Sequence, residues 1–418
     1  MRGSAGLGSY VSSAFLTLYF LGILNVFLRN SLGVIGPEIA VSLAIEPVVL
    51  GGVASAFFFA YALMQIPTGV LLDRYGARPT LGSLMVLTTA GALLFAAATS
   101  QSALLLSRIL MGAGCAGCFT GTFYILARRI PRERFAFHGG LFNSIAMTGT
   151  LLAATPLAGA TALLGWRGAA LLMAGMAGAA LLLVWTVLRD PPHPAAVASP
   201  APTESLFESI AGMARIARIP GMPRLVCTGV GMSAAPVISG IWGGPYLHDV
   251  QGLDEISRGN VLLFMASVGV VSHFVLGQMS ARFGSVRGVV AGGTILVIAA
   301  LGVLATLDKP PAWLAALLFG AISFGCGYPA LVHAHIRAMV PERLIGRGMT
   351  LITMGVMGIV AVMQLLAGAI IDSFPHDSQA IAPQIGYQVA FAVMALLSGG
   401  ALLLYWRIHD VAPTVRNG

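Results

Sequence analysis

Charge is what this chain has least of. Only 9% of its 418 residues are Asp, Glu, Lys or Arg, where a soluble domain carries about 25%. Hydrophobic residues make up 57% of it, and the mean hydropathy is +0.88. No soluble fold of this length hides so much apolar surface, so the composition excludes a soluble domain and points to a polytopic membrane protein. Cysteine is also scarce. Cys115, Cys118, Cys227 and Cys326 all fall inside apolar runs. Cys115-x-x-Cys118 has redox or metal spacing, but its setting, Ala-Gly-Cys-Ala-Gly-Cys-Phe, reads better as small residues for close helix packing. No paired carboxylates, metal-ligand cluster, nucleophile motif or phosphate loop appears. The chain is therefore expected to be no enzyme, and to need no metal and no cofactor. The first apolar run is too long for a cleavable leader and lacks a small-residue cleavage site, so none is expected.

What is there is long apolar runs. Twelve spans are predicted, each long enough for the roughly 20 residues of helix that cross a bilayer. They lie near 11–33, 48–72, 79–99, 101–126, 136–163 and 167–188, then 221–247, 256–281, 287–307, 312–338, 344–372 and 386–407. One long polar stretch separates the sixth from the seventh. It begins with Asp190-Pro-Pro-His-Pro and an Ala/Pro/Ser run, an extended linker. It continues with Leu206, Ile210, Met213 and Ile216 at helical spacing, an amphipathic helix for the membrane face.

The net charge of +8 is explained by where the arginines sit rather than by nucleic acid. With a cytoplasmic N-terminus, the inside segments hold Arg74, Arg78, Arg128, Arg129, Arg132, Arg134, Arg189, Arg215, Arg218, Arg224, Arg282, Arg287, Arg337, Arg343, Arg347 and Arg407. The outside loops offer Arg167, Arg258 and Lys309. The positive-inside rule then puts both termini in the cytoplasm. The arginine-rich, almost lysine-free composition hints at a GC-rich bacterial genome and hence an inner membrane.

The stretch that organises the chain is Gly69-Val-Leu-Leu-Asp73-Arg74-Tyr-Gly76-Ala-Arg78, a charged turn between two apolar runs. A looser copy runs Gly277-Gln-Met-Ser-Ala-Arg282-Phe-Gly284-Ser-Val-Arg287. Gly277, Arg282 and Gly284 repeat Gly69, Arg74 and Gly76, while Ala281 replaces Asp73. The offset is half the chain, so the protein reads as one bundle built twice.

These features together resemble the major facilitator superfamily: an even number of spans in two related halves, a central inside linker, and G-x-x-x-D-R-x-G after the second span. The resemblance implies an all-α membrane fold of twelve transmembrane helices in two pseudo-symmetric six-helix bundles. Residues 1–188 and 220–418 would form the bundles, and 189–219 the cytoplasmic linker. A central cavity would open alternately to either side. The resemblance further implies that Asp73, with Arg74, Arg78, Arg134, Gly69 and Gly76, builds a latch on the cytoplasmic gate. An anionic Asp73 near a helix N-terminus and several guanidiniums gains bonds in one state that the other lacks. A solvated turn that only sets topology is the plainer alternative.

Within the superfamily, two patterns resemble the organic anion:cation symporters. The second span reads Phe57-x-x-x-Tyr61-x-x-x-Gln65-x-Pro67-x-Gly69, which puts Phe57, Tyr61 and Gln65 on one face. The first span ends Arg29-x-x-Leu32-x-x-x-x-Pro37. By position, the resemblance implies that Arg29 binds a carboxylate and Tyr61 hydrogen-bonds it. Independently, a guanidinium inside a membrane helix should face water, an anion or a partner; snorkelling to the outer surface is the alternative. Arg108-x-x-x-Gly112, followed by Gly114, Gly117 and Gly121, resembles the superfamily's fourth-span arginine motif. Its counterpart in the second half is Ala316, so the charge is no repeat-wide requirement. A structural arginine bonding backbone carbonyls is the competing reading.

Sugar-acid symporters carry a proton-bearing glutamate seven residues after that arginine; here the position is Cys115. None of the fifteen acids falls mid-span, and Glu38 is read at an outer end. Protons remain a possible partner through His273, His335 or His333, although a structural histidine is the simpler reading of each. Coupling could equally be absent. Asn25, Asn143, Gln364, Trp242 and Tyr246 are further substrate-binding candidates, with Gly240-Ile-Trp242-Gly-Gly-Pro245-Tyr246 read as a broken or kinked outer segment. Trp242 and Tyr246 would wall the cavity or anchor the interface. The expectation is a carrier of a small organic anion, most simply inward, working as a monomer among membrane lipids. A proton-coupled exporter of drugs or metabolites is the alternative.

Overall fold

The computed structural model describes residues 3–130, 132–189, 206–340, 345–375 and 383–410. Among the described residues every regular element is helical. Helices α1 (Gly3–Asn30), α2 (Leu32–Leu43), α3 (Pro47–Tyr75) and α4 (Ala77–Ala96) come first. They are followed by α5 (Gln101–Arg129), α6 (Arg132–Leu152), α7 (Thr155–Val187) and the short linker helix α8 (Leu206–Ala217). The later part holds α9 (Met222–Val237), a π-helical turn (Ile238–Trp242), α10 (Gly243–Asp249), α11 (Glu255–Phe283) and α12 (Val286–Thr306). It closes with α13 (Ala312–Gly325), α14 (Pro329–Met339), α15 (Ile345–Asp372) and α16 (Gln384–Trp406). In a bilayer each backbone N–H and C=O must be satisfied within its own segment, which is why helices are the only regular element here.

Eleven described stretches are long and apolar enough to cross a membrane. The longest, His138–Val187, has 50 residues; at about 1.5 Å per residue it reaches roughly 75 Å, enough for two crossings of a core about 30 Å thick. It bends at Gly165, whose φ of 70° lies outside the helical region. That bend falls between the fifth and sixth expected spans. The chain is a multi-pass membrane protein.

Helices up to α7 pack among themselves, α4 against α5 and α7, α3 against α5, and α1 against α6. Helices from α9 on do the same, α12 against α13 and α16, α15 against α9, and α11 against α13. The two organising turns match as the sequence repeat demands. Gly76 between α3 and α4 has φ 84°, and Gly284 between α11 and α12 has φ 62°. Both sit in left-handed space that a side chain disfavours, so a glycine recurs there for the same steric reason. The linker helix also forms, burying Met213 and Ile216 as its spacing foretold and packing on α3, α9 and α15.

One expectation is corrected. The first span does not end near residue 33; it continues through α2 to Leu43, twelve further helical residues. The only interruption is at Ser31, whose hydroxyl donates to the Leu28 carbonyl (2.9 Å). The segment Gly240–Tyr246, read as broken or kinked, carries a local irregularity without a chain break. Pro245 has no N–H to give the Ile241 carbonyl, and the ladder slips into a π turn in which the Gly243 N–H reaches Ile238. The tenth span is the one that breaks, at Cys326–Tyr328 between α13 and α14.

The two groups meet most extensively where α3 packs along α15, and several further close contacts join them at the end opposite the arginine-rich turns. Pro37 cannot donate to the Gly33 carbonyl, and that carbonyl is the one against which Gly244 packs: a Cβ on Gly244 would stand 1.8 Å from it. A Cβ on Gly33 would in turn stand 2.1 Å from the Ser239 carbonyl oxygen. Around this backbone contact, Ser239 Oγ donates to Asn30 Oδ1 (3.3 Å) and Thr155 Oγ1 to Asn260 Oδ1 (2.9 Å). Glu38 of α2 pairs with Arg258 of α11. This end is closed. Gly244→Ala is therefore expected to hold it open. A disulfide between Asn30→Cys and Ser239→Cys, which forms readily in the parent, should fall about tenfold or more in yield when Gly244→Ala is added; unchanged yield would show that the glycine contact is not required.

Candidate functional site

A polar cluster lies inside the first group, where α1, α3 and α5 meet. Its deepest member is Arg108 of α5, fully buried. Its guanidinium lies over the Phe57 ring, 4.7 Å from the centroid, and Nη1 donates to the Leu28 carbonyl (3.0 Å). Gly112, one turn further along α5, has its Cα against the Phe57 backbone; a Cβ there would be 2.2 Å from the Phe57 carbonyl oxygen. That close approach brings α3 under Arg108. Phe57 stacks on Tyr61 with centroids 6.4 Å apart, so the face read from the sequence at i, i+4 is real.

Arg29 of α1 completes the cluster. Arg29 lies near Tyr61 and Cys115, and Arg108 lies near Cys115 too. The two cations thus share one neighbourhood. Arg29 precedes Leu43, the end of α2, by fourteen residues, about 21 Å of helix. That is more than an arginine side chain spans.

What marks the cluster is an excess of donors. Arg29 Nε, Arg108 Nε and Arg108 Nη2 are buried and hydrogen-bond to no protein acceptor. No carboxylate faces them among the described residues. The one Arg108 bond to a backbone carbonyl meets part of the structural reading, but two of its donors are left over. Desolvated guanidinium donors of this kind cost free energy unless an acceptor of matching charge arrives. Asn25 adds a fixed wall: its Nδ2 donates to the Cys115 carbonyl (2.8 Å) and ties α1 to α5. Gln65 is held similarly, accepting from Thr120 Oγ1 (3.0 Å). All four cysteines are free thiols, with Cys115 and Cys118 buried.

The remaining candidates lie elsewhere. Trp242 donates Nε1 to the Gln364 carbonyl (3.1 Å), and both pack at the closed end beside Gly51. Gln364 is fully buried, with Nε2 3.5 Å from the Pro236 carbonyl. Tyr246 is drawn into an aromatic group of the second half with Phe319, Tyr387 and Phe391, at centroid distances of 5.7, 5.6 and 5.4 Å. It does not join the arginines. Asn143 is exposed. His273 is also exposed and bonds its own helix at the Gly269 carbonyl (2.6 Å). His335 is buried between Tyr405 Oη (3.2 Å) and the His409 carbonyl (3.0 Å). Both histidines thus carry local bonds.

The turn residues divide. Arg78 donates to the Trp185 carbonyl (2.6 Å), tying α4 to α7, and Arg74 lies over the ring of its neighbour Tyr75 at 5.3 Å. Gly76 forms the left-handed turn, and around Gly69 a Cβ would meet nothing within 4 Å. The side chains of Asp73 and Arg134 lie outside the described residues. Glu38 and Arg258 are not among the site residues expected from the sequence, because a first span ending near residue 33 leaves Glu38 beyond it at an outer end. The available signal was the apolar run Leu32–Leu43 itself, which contains Pro37 without being stopped by it.

The family model described as Major Facilitator Superfamily matches residues 18–333 and again 261–418. The probable galactarate/D-glucarate transporter GudP of Bacillus subtilis is 30% identical over 186 residues, 42% of this chain and 40% of that protein. Its Escherichia coli namesake is 30% identical over 185 residues, 42% of this chain and 41% of that protein. A protein of Agrobacterium vitis, provisionally described as a tartrate transporter, is 26% identical over 338 residues, 75% of this chain and 73% of that protein. The chain thus matches about two fifths of the length of the first two relatives. Among solved structures, a bacterial homologue of the human lysosomal transporter Spinster aligns with TM-score 0.76 at 16% identity, covering 95% of this chain and 96% of that one. A D-xylose-proton symporter aligns with TM-score 0.75 at 12% identity, covering 97% and 98%. At such identities these structures speak for the fold alone.

Replacing Asn25 by Ala removes the side-chain bond from α1 to the Cys115 carbonyl, which keeps its intrahelical bond, and should lower stability by about 1 kcal/mol. Thermal unfolding of the purified variant reads this directly; an unaltered melting temperature would mean the α1–α5 bond is dispensable.

Proposed function

We propose a transport function for this chain, which belongs to the Major Facilitator Superfamily: it carries a small organic anion across the membrane by alternating access. One observation carries the reading. Arg29 and Arg108 share a buried neighbourhood with three unpaired donors and no facing carboxylate. Such a site favours an anion and repels a cation. Arg108 and Arg29 supply charge and donors, Tyr61 a hydroxyl, and Asn25 and Phe57 the fixed walls. The named relatives handle sugar diacids or tartrate, and two arginines suit a small hydroxylated carboxylate of that class.

Around this core we place the finer features. Residues 1–188 and 220–418 are the two six-helix units, joined by 189–219. The arginine-rich turns face the cytoplasm, as do both termini, in an inner membrane. Net movement is uptake, by a monomer. Asp73 and the arginines around it latch the cytoplasmic end during the half of the cycle in which the Glu38 end opens. No proton step is assigned to His273 or His335, because each is committed to a local bond.

Binding is tested by thermal stabilisation of the purified protein against tartrate, galactarate, neutral sugars and lipophilic cations, at two pH values. A ligand at a hundred times its dissociation constant should stabilise by about 2.7 kcal/mol. A carboxylate is expected to stabilise the parent and to lose its effect with Arg29→Ala or Arg108→Ala. Stabilisation by lipophilic cations alone would replace this reading with that of an exporter. Asp73→Asn is expected to slow turnover several-fold while leaving anion affinity near the parent value, since the latch acts on the gate. A pure affinity loss in transport kinetics would remove the latch.

A further inference from the structure

The Glu38–Arg258 pair is not part of the anion site, and nothing in the chemistry of that site requires it. It joins α2 of the first group to α11 of the second. Arg258 is 3% exposed and the Glu38 side chain 19%, so both charges have been largely withdrawn from water. The pairing is through one oxygen and one nitrogen: Glu38 Oε2, Arg258 Nε and Arg258 Nη1 are buried without partners. A bidentate pair buried for stability alone would satisfy both oxygens. A buried pair that keeps unsatisfied atoms holds its state less firmly than a fully matched one would, yet removing either partner strands a buried charge.

Its surroundings show what the pair is for. Arg258, Gly259 and Asn260 are consecutive, and each meets the other group. Arg258 meets Glu38, Gly259 packs on Thr155 and Ala158, with a Cβ there 2.8 Å from that of Ala158, and Asn260 accepts from Thr155. Nearby, the Gly33 carbonyl and Gly244 form the tight backbone contact, and Ser239 meets Asn30. Every one of these contacts joins the two groups, and an opening of this end must separate all of them. The others are neutral and short-ranged. The ion pair alone places opposite full charges on the two moving bodies.

We propose that Glu38 and Arg258 are positioning residues of the transport cycle, a charge clasp that holds this end closed and must part before the anion site is exposed to that side. This rests on the alternating-access reading above. Parting returns both charges to water, which recovers much of the energy lost on separation. The clasp can therefore be firm when shut and still open once per cycle. The population of the two states is set by the clasp's differential contribution to them.

The test is substrate-free. Ser239→Cys places a thiol inside the closed contact, and its labelling by a membrane-impermeant maleimide is followed in right-side-out and inside-out membranes. Labelling from the Glu38 side should be slow in the parent and rise about tenfold or more with Glu38→Gln or Arg258→Gln, as the open state gains population. The double exchange Glu38→Arg with Arg258→Glu should bring it back toward the parent rate. Unchanged labelling in the single variants overturns the clasp. So does a double exchange that labels as fast as the singles, because charge pairing would then not be the cause. Should Glu38→Gln insert poorly, Arg258→Lys keeps the charge, loses the planar fork and is expected to label at an intermediate rate; a parent-like rate there, with fast labelling in Arg258→Gln, would show that charge suffices without geometry and would reduce the claim to the charge itself. Loss of carboxylate stabilisation in the parent, with the labelling shift intact, would remove the anion reading and leave the clasp standing.

Discussion

A guanidinium held out of water needs an acceptor. That constraint organises the interior of this protein. Arg108 meets it in part, through one carbonyl and the face of Phe57, and Arg29 Nε is buried with no hydrogen-bond partner. Keeping two such side chains in a neighbourhood with no described carboxylate is unfavourable for the empty protein. The folded helices accept that disadvantage because α1, α3 and α5 are anchored elsewhere, by the Asn25 bond, the Gly112 approach and broad apolar packing. The strain is therefore concentrated at a place where, on the proposed function, an incoming anion would relieve it.

The same principle of incomplete satisfaction recurs at the closed end. Pro37 removes the helix partner of the Gly33 carbonyl, and Gly244 fills the space beside it. Glu38 and Arg258 pair while leaving three polar atoms unmatched. An interface built this way is tight without being deeply stable, which suits the alternating access proposed above. By contrast, contacts such as Arg78 with Trp185 or Thr294 with Tyr328 at 3.0 Å tie neighbouring helices within a group.

Most of the fold was legible because membrane crossing imposes length, and length is visible in apolar runs. The repeat of Gly76 in Gly284 was legible for a steric reason, since both need positive φ. The face of Phe57 and Tyr61 followed from helical periodicity alone. Other features were not. The extension of the first span through Pro37 was hidden because proline ordinarily ends a helix, and only the tertiary contact with Gly244 explains its tolerance here. Tyr246 was expected beside the substrate path, yet its ring is held by Phe319, Tyr387 and Phe391 from distant segments. His273 and Asn143 are exposed, which no spacing argument could decide without knowing which face each helix buries. Glu38 and Arg258 are 220 residues apart in sequence. Neither is conspicuous until the two groups are brought together.

The central claim is that two unpaired arginines select an anion. It is tested most directly by transport in proteoliposomes, comparing a labelled hydroxy-diacid with its uncharged alcohol analogue. The account predicts that the diacid is taken up, that the alcohol neither moves nor competes, and that replacing Arg108 by Met abolishes diacid uptake while the protein remains folded. Uptake of the alcohol at the same rate as the diacid, or diacid uptake undiminished in the Met variant, would contradict it.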